Sequence, residues 1–263
     1  MKSIRLLGLV AASLYLCTTI GNAASIAYGD FGPVSPGVRF RSVIESSVTD
    51  PVPLYGPPTP YSVGLDFNPL GFGAVGLGGS SDITDGQLNF GVEGGVSSAQ
   101  LVGISSIRLF ESGDFTLAGL GTAATQDFAG AIMRITVTQI DGVNVAPIAL
   151  SPANASVGFN LIANPGIVQP WSLGLSLDIN SQLTAMGLQF TAGATKLEVV
   201  IDNQLIALSE TDSVAAILKK DFRIDVTPDI VPVPEPASAA LLGIGGVMMA
   251  IAGWLNRRGG LRA

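Results

Sequence analysis

Along most of this 263-residue chain, apolar side chains return at every second position. That spacing suits an extended strand with one buried and one wet face; a helix needs a period of 3.6. Leu88, Phe90 and Val92 alternate with Gln87, Asn89, Gly91 and Glu93. The same rhythm runs through residues 61–67, 172–179, 195–201 and 220–226. Residues 134–140 meet Asp141-Gly142, followed by Val143-Asn144-Val145. An Asp-Gly pair between two such runs is a strong hairpin signal. Gly and Pro mark the gaps, as at Gly56-Pro57-Pro58 and Asn164-Pro165-Gly166. The strongest helical stretch, residues 212–218, amounts to one or two turns. The pattern predicts about ten short strands and an all-β fold, an antiparallel β-sandwich that is jelly-roll-like, over residues 24–226. Two smaller sandwiches meeting near residues 147–165 are the alternative division. Residues 227–233 read as a linker.

The two ends follow other rules. Lys2 and Arg5 precede an apolar run at residues 6–16, with Gly21 and Ala23 after it. This is the three-part layout of a cleavable signal peptide, residues 1–23, cut by signal peptidase between Ala23 and Ala24. Cys17 lies within that segment, and Leu16 before it is too bulky for a lipoprotein cut. At the other end, Pro234-Glu235-Pro236 leads into the uncharged residues 237–255, then Arg257 and Arg258. As a helix, that apolar run reaches about 28 Å, close to a bilayer's hydrocarbon core. The arginines hold its end on the cytoplasmic side, so the body lies outside the inner membrane.

A Pro-Glu-Pro motif, one apolar span and a terminal arginine cluster, in that order, resemble the PEP-CTERM sorting signal over residues 234–258. The resemblance implies that Pro234, Glu235 and Pro236 are recognised by a membrane-embedded exosortase. It implies a single C-terminal transmembrane helix that anchors the chain until processing. It also implies a Gram-negative bacterium that makes exopolysaccharide, with the body released to the cell surface or beyond. It says nothing about what the body does.

Composition narrows the chemistry. Five of the 13 cations and one of the 20 acids belong to the ends, which leaves residues 24–233 with a net charge of −11. Such a body does not bind nucleic acid non-specifically. The chain has no His and, once the leader is cut, no Cys. A Ser-His-Asp triad is therefore excluded, and a zinc site is disfavoured. Gly76-Leu77-Gly78-Gly79-Ser80 lacks the lysine of a phosphate-binding loop.

Asp82 and Asp85, with Glu111 and Asp114, are the best acidic clusters for a weak calcium site, the one cofactor the sequence suggests. Tyr28, Tyr55, Tyr61 and Trp171 are the aromatic rings on offer to a sugar, a structural role being the plainer reading of each; Trp171 suits the core or a rim, and Tyr55 and Tyr61 are expected near the surface of a Pro-rich segment. The sequence reading is thus a non-enzymatic surface or matrix protein with a structural or adhesive role and exopolysaccharide as a partner. A calcium-dependent carbohydrate-binding module is the alternative, and a polysaccharide-active enzyme the third reading.

Overall fold

A computed structural model of the chain describes residues 24–34, 37–95 and 100–232. In chain order its strands are β1 (Ala24–Val34), β2 (Val38–Ser47), β3 (Thr59–Tyr61), β4 (Gly64–Phe67), β5 (Gly73–Leu77), β6 (Ser81–Glu93), β7 (Gln100–Gly119), β8 (Gln126–Ile140), β9 (Val143–Ala149), β10 (Ala153–Asn160), β11 (Gly166–Asp178), β12 (Ala194–Leu208) and β13 (Ser213–Pro232). One short helix, α1 (Ile179–Ala185), joins β11 to β12. Every recorded strand pairing is antiparallel, and the strands make two sheets.

The first sheet runs β1-β2-β6-β12-β8-β10, with β9 sharing the outer edge of β8. The second runs β11-β7-β13-β4-β3, with β5 beside β4 on β13. The chain changes sheets from β2 to β3, from β5 to β6, from β6 to β7, again into β8, and three more times from β10 to β13. Late strands are thereby inserted beside early ones, β12 between β6 and β8 and β13 between β7 and the β4–β5 pair. The expected sandwich is present as one layered body.

Alternation does the burying. Leu88, Phe90 and Val92 of β6 face inward, as do Leu197, Val199, Ile201 and Leu205 of β12. They meet Ile107, Leu109, Ile217 and Ile224 in a common core with the second sheet. Each side chain of this size removed from water contributes about 1.5–3 kcal/mol. The Asp141-Gly142 turn forms as the sequence suggests. Ile140 pairs with Val143, and both turn residues have positive φ, 49° and 78°, as a two-residue hairpin requires.

Several readings are corrected. Residues 61–67 are a hairpin rather than one strand, because the chain turns at Ser62 and Val63 between β3 and β4. Residues 212–218 are not helical; they begin β13, with Ala215 and Ile217 in the core. The helix lies instead at the end of the 172–179 run, where the Asp178 carboxylate caps it by accepting the Ser181 N–H at 2.8 Å. Residues 227–232 are not a free linker, since β13 stays paired with β7 as far as Pro232 opposite Gln100.

Ala24 opens β1. The proposed leader through Ala23 and the sorting residues Pro234, Glu235, Pro236, Arg257 and Arg258 lie outside the described residues. Among the described residues, no helix is long and apolar enough to cross a membrane.

Candidate functional site

The outward positions of the first sheet form a lattice fixed by strand register. Ile206 of β12 stands beside Phe128 of β8, and Phe128 beside Gly158 of β10. The next row is Asp85, Gln204, Gly130 and Ser156, and the row after it Gln87, Asp202, Ile132 and Asn154. Two glycines among these positions give the Phe128 ring room to lie close against the sheet. A Cβ on Gly130 would come within 2.9 Å of that ring, and one on Gly158 within 3.7 Å.

The result is two adjoining grooves that share Phe128 and Gln204. One, of 480 Å³, runs from Gln126 and Asn160 toward Ile206. The other, of 340 Å³, is bordered by Asp85, Asp202, Asn154 and Ser156. Ligand pockets for small molecules begin at about 300 Å³. The half-buried ring supplies an apolar platform, and amides, a hydroxyl and carboxylates supply hydrogen bonds at its margin.

The polar side chains are held from below and beside. Asn89 donates to Gln87 at 3.0 Å, Gln87 donates to Asp202 at 2.6 Å, and Arg134 pairs with Asp202. Asp85 has no such partner among the described residues. Partial burial, and then the neighbouring Asp202 charge, raise its carboxyl above the usual range. Immediately beneath Phe128, Asp127 points into the core with 1% exposure, and neither carboxylate oxygen makes a hydrogen bond of normal geometry. Burial pushes its pKa up to about 7, opposed in part by the Ala216 backbone.

The two acidic clusters read as calcium candidates lie in different sheets. Asp82 and Asp85 are on β6 in the first sheet, while Glu111 and Asp114 are on β7 in the second. Both pairs lie inside strands rather than loops, and residues three apart on a strand point to opposite faces. Asp82 accepts the Val75 N–H at 2.8 Å, Asp114 pairs with Lys220, and Glu111 is fully buried against Lys219. Among the described residues, no group of three or more such side chains is placed to hold a metal ion. Of the four, Asp85 borders the second groove.

Of the aromatic expectations, the exposure of Tyr55 is overturned, and Trp171 takes its core reading. Tyr55 is fully buried, because the Pro-rich segment between β2 and β3 folds into the sandwich rather than over it. Its ring packs edge-on against Phe67, Phe72 and Phe222 at 6.1, 5.1 and 4.8 Å. Trp171 is buried and donates its indole N–H to the Leu218 carbonyl at 3.1 Å. Tyr28 donates to Glu45 at 2.5 Å, and Tyr61 donates to Asp225. Sequence reasoning missed Phe128. The signal was available: counting back from Ala129, Ala131 and Met133 puts Asp127 inside and Phe128 outside, the reverse of the usual preference.

No family model matches this chain, and the search of curated proteins gives no match. Among solved structures, TmCBM61 in complex with beta-1,4-galactotriose matches at 10% identity over 63% of this chain and 72% of its own, with a TM-score of 0.20. The enzymatically active domain of bacteriophage CBA120 tailspike protein 4 matches at 12% identity over 76% of this chain and 19% of its own, TM-score 0.17. A Bauhinia forficata lectin in complex with GalNAc matches at 10% identity over 78% of this chain and 100% of its own, TM-score 0.19. At these scores the likenesses define neither the fold nor a ligand.

Proposed function

We propose that this chain is an exported, non-catalytic β-sandwich that binds polysaccharide across the outer face of its first sheet, at the cell surface or in the extracellular matrix. One observation carries the reading. Phe128 lies between two glycine-lined grooves whose margin presents Asp85, Gln204, Asn154 and Ser156. A sugar ring has an apolar face for the phenyl ring and equatorial hydroxyls for the polar margin. The C-terminal Pro-Glu-Pro segment, apolar span and arginines supply the delivery route, with exosortase as the processing partner.

The test is calorimetric titration of the purified chain with the producing strain's exopolysaccharide, with and without calcium. Saturable binding is expected, and Phe128→Ala should weaken it about tenfold, the loss of roughly 1.4 kcal/mol of stacking. No heat of binding in either condition would overturn the assignment. The sorting half is tested apart from this: Glu235→Ala should leave unprocessed chain in the membrane fraction, and normal release of that variant would refute it.

A hydrolytic reading draws on Asp85 and Asp202, two carboxylates on neighbouring strands, one of them raised in proton affinity. Release of reducing ends from the same polysaccharide would favour it. Asp202 is already committed to Gln87 and Arg134, which favours binding.

A further inference from the structure

The interior of the sandwich holds a lysine. Lys219 of β13 has no exposed side-chain surface and pairs with the equally buried Glu111 of β7. Its Nζ donates to Asn203 Oδ1 of β12 at 2.7 Å. The rings of Phe72, Phe222 and Tyr55 surround the ammonium, with centroids 4.2, 5.2 and 5.7 Å from Nζ. Tyr55 Oη lies 3.0 Å from the same Asn203 oxygen and 2.9 Å from the Gly86 carbonyl.

A buried ion pair seldom returns what its desolvation costs, so hydrophobic residues would serve a purely structural purpose at least as well. The surroundings point to chemistry instead. An amine is held against a primary amide, beside an acid, in an aromatic enclosure. Burial lowers the proton affinity of Lys219 and raises that of Glu111, which favours the neutral amine and the neutral acid together. A desolvated neutral lysine is a nucleophile. Exclusion of water leaves the amine as the group in contact with the amide.

We propose that Lys219 and Asn203 become joined by an intramolecular isopeptide bond between the two sheets, formed spontaneously with Glu111 as proton carrier. Glu111 takes one proton from the Lys219 ammonium. Nζ then attacks Asn203 Cγ, and the carbonyl electrons move to Oδ1, where the Tyr55 hydroxyl donates a hydrogen bond. Glu111 passes its proton to Nδ2 and takes a second from Nζ. The Cγ–Nδ2 bond breaks, its electrons leave with ammonia, and the Cγ–Oδ1 double bond re-forms. The products are one secondary amide, one ammonia and a neutral Glu111 carboxyl. No oxidant, metal or cofactor takes part, and the buried charges are gone.

Glu210 and Asp212 lie between the two reactants in sequence, so digestion at acidic residues reads the result directly. Applied to the folded full chain, it should give one branched product carrying both Asn203 and Lys219, lighter than the sum of the separate peptides by one ammonia, about 17 Da. Glu111→Gln should keep the β-sheet circular dichroism of the parent and yield the separate peptides, and Lys219→Met should yield no branched product. Separate, full-mass peptides from the folded parent chain would overturn the proposal, whatever the variants do. A branched product formed as fast in Glu111→Gln would overturn the role given to Glu111. Neither outcome depends on whether the outer grooves bind sugar.

Discussion

A carboxyl shut away from water holds its proton more tightly, and Asp127 shows what that does to stability. Its pKa rises from 3.8 to about 7 on folding. Below pH 4 both folded and unfolded forms are protonated and the group contributes fully. As the pH rises, the unfolded form ionises first, so stability falls until the folded form also ionises near 7. Asp127→Asn should remove this slope. Urea denaturation between pH 4 and pH 8 should show the parent losing roughly 1–2 kcal/mol relative to the variant, after allowance for partial solvation. Parallel profiles would show that Asp127 finds a partner in solution. Asp85 and Asp225, also raised by burial, act in the same direction in both proteins and cancel in the difference. Asp127 and Phe128 could be placed from the sequence only by trusting the phase of their neighbours over their own polarity.

Strands were legible wherever alternation continued undisturbed, and illegible where it changed phase. In β13, Ala215, Ile217 and Lys219 face inward, then so do Phe222, Ile224 and Val226. A register shift between Lys219 and Asp221 absorbs the extra residue. Read alone, the second half is a strand and the first, residues 212–218, resembles a helical turn. The same device acts in β2, where a shift between Arg41 and Ile44 accompanies Ser42 at φ 50° and sends Glu45 into the core. Bulges of this kind depend on the partner strand, which local spacing does not contain. Opposite the β13 bulge, Gly113 lets the backbones close: a Cβ there would fall 1.8 Å from the Leu218 carbonyl oxygen. Gly113→Ala should therefore force β7 and β13 apart and cost about 2 kcal/mol or more, seen as a lower Tm. An unchanged Tm would mean that the bulge has room to relax.

At the level of the whole molecule, composition and period two were enough to give a layered all-β body, because only sheet-on-sheet packing buries alternating faces without helices. They were not enough to place ligands. Asp82 and Asp85 are close in sequence, as are Glu111 and Asp114, yet the two pairs lie in different sheets, while Asp85, Phe128, Asn154 and Gln204 come from four different strands and are neighbours in space. The buried Lys219, Asn203 and Glu111 are likewise gathered from three strands.

The central position of β13 has a mechanical meaning. A pull transmitted through the chain beyond Pro232 and directed along this strand strains its ladder to β7 all at once, in shear. An edge strand would instead peel open bond by bond. Joined to Asn203, Lys219 would pass that tension across the core into β12, the strand that carries Gln204 and Asp202 on its outer side. A body gripping polymer with one sheet and tethered through the other would then stretch as a single stitched fabric rather than part between its layers.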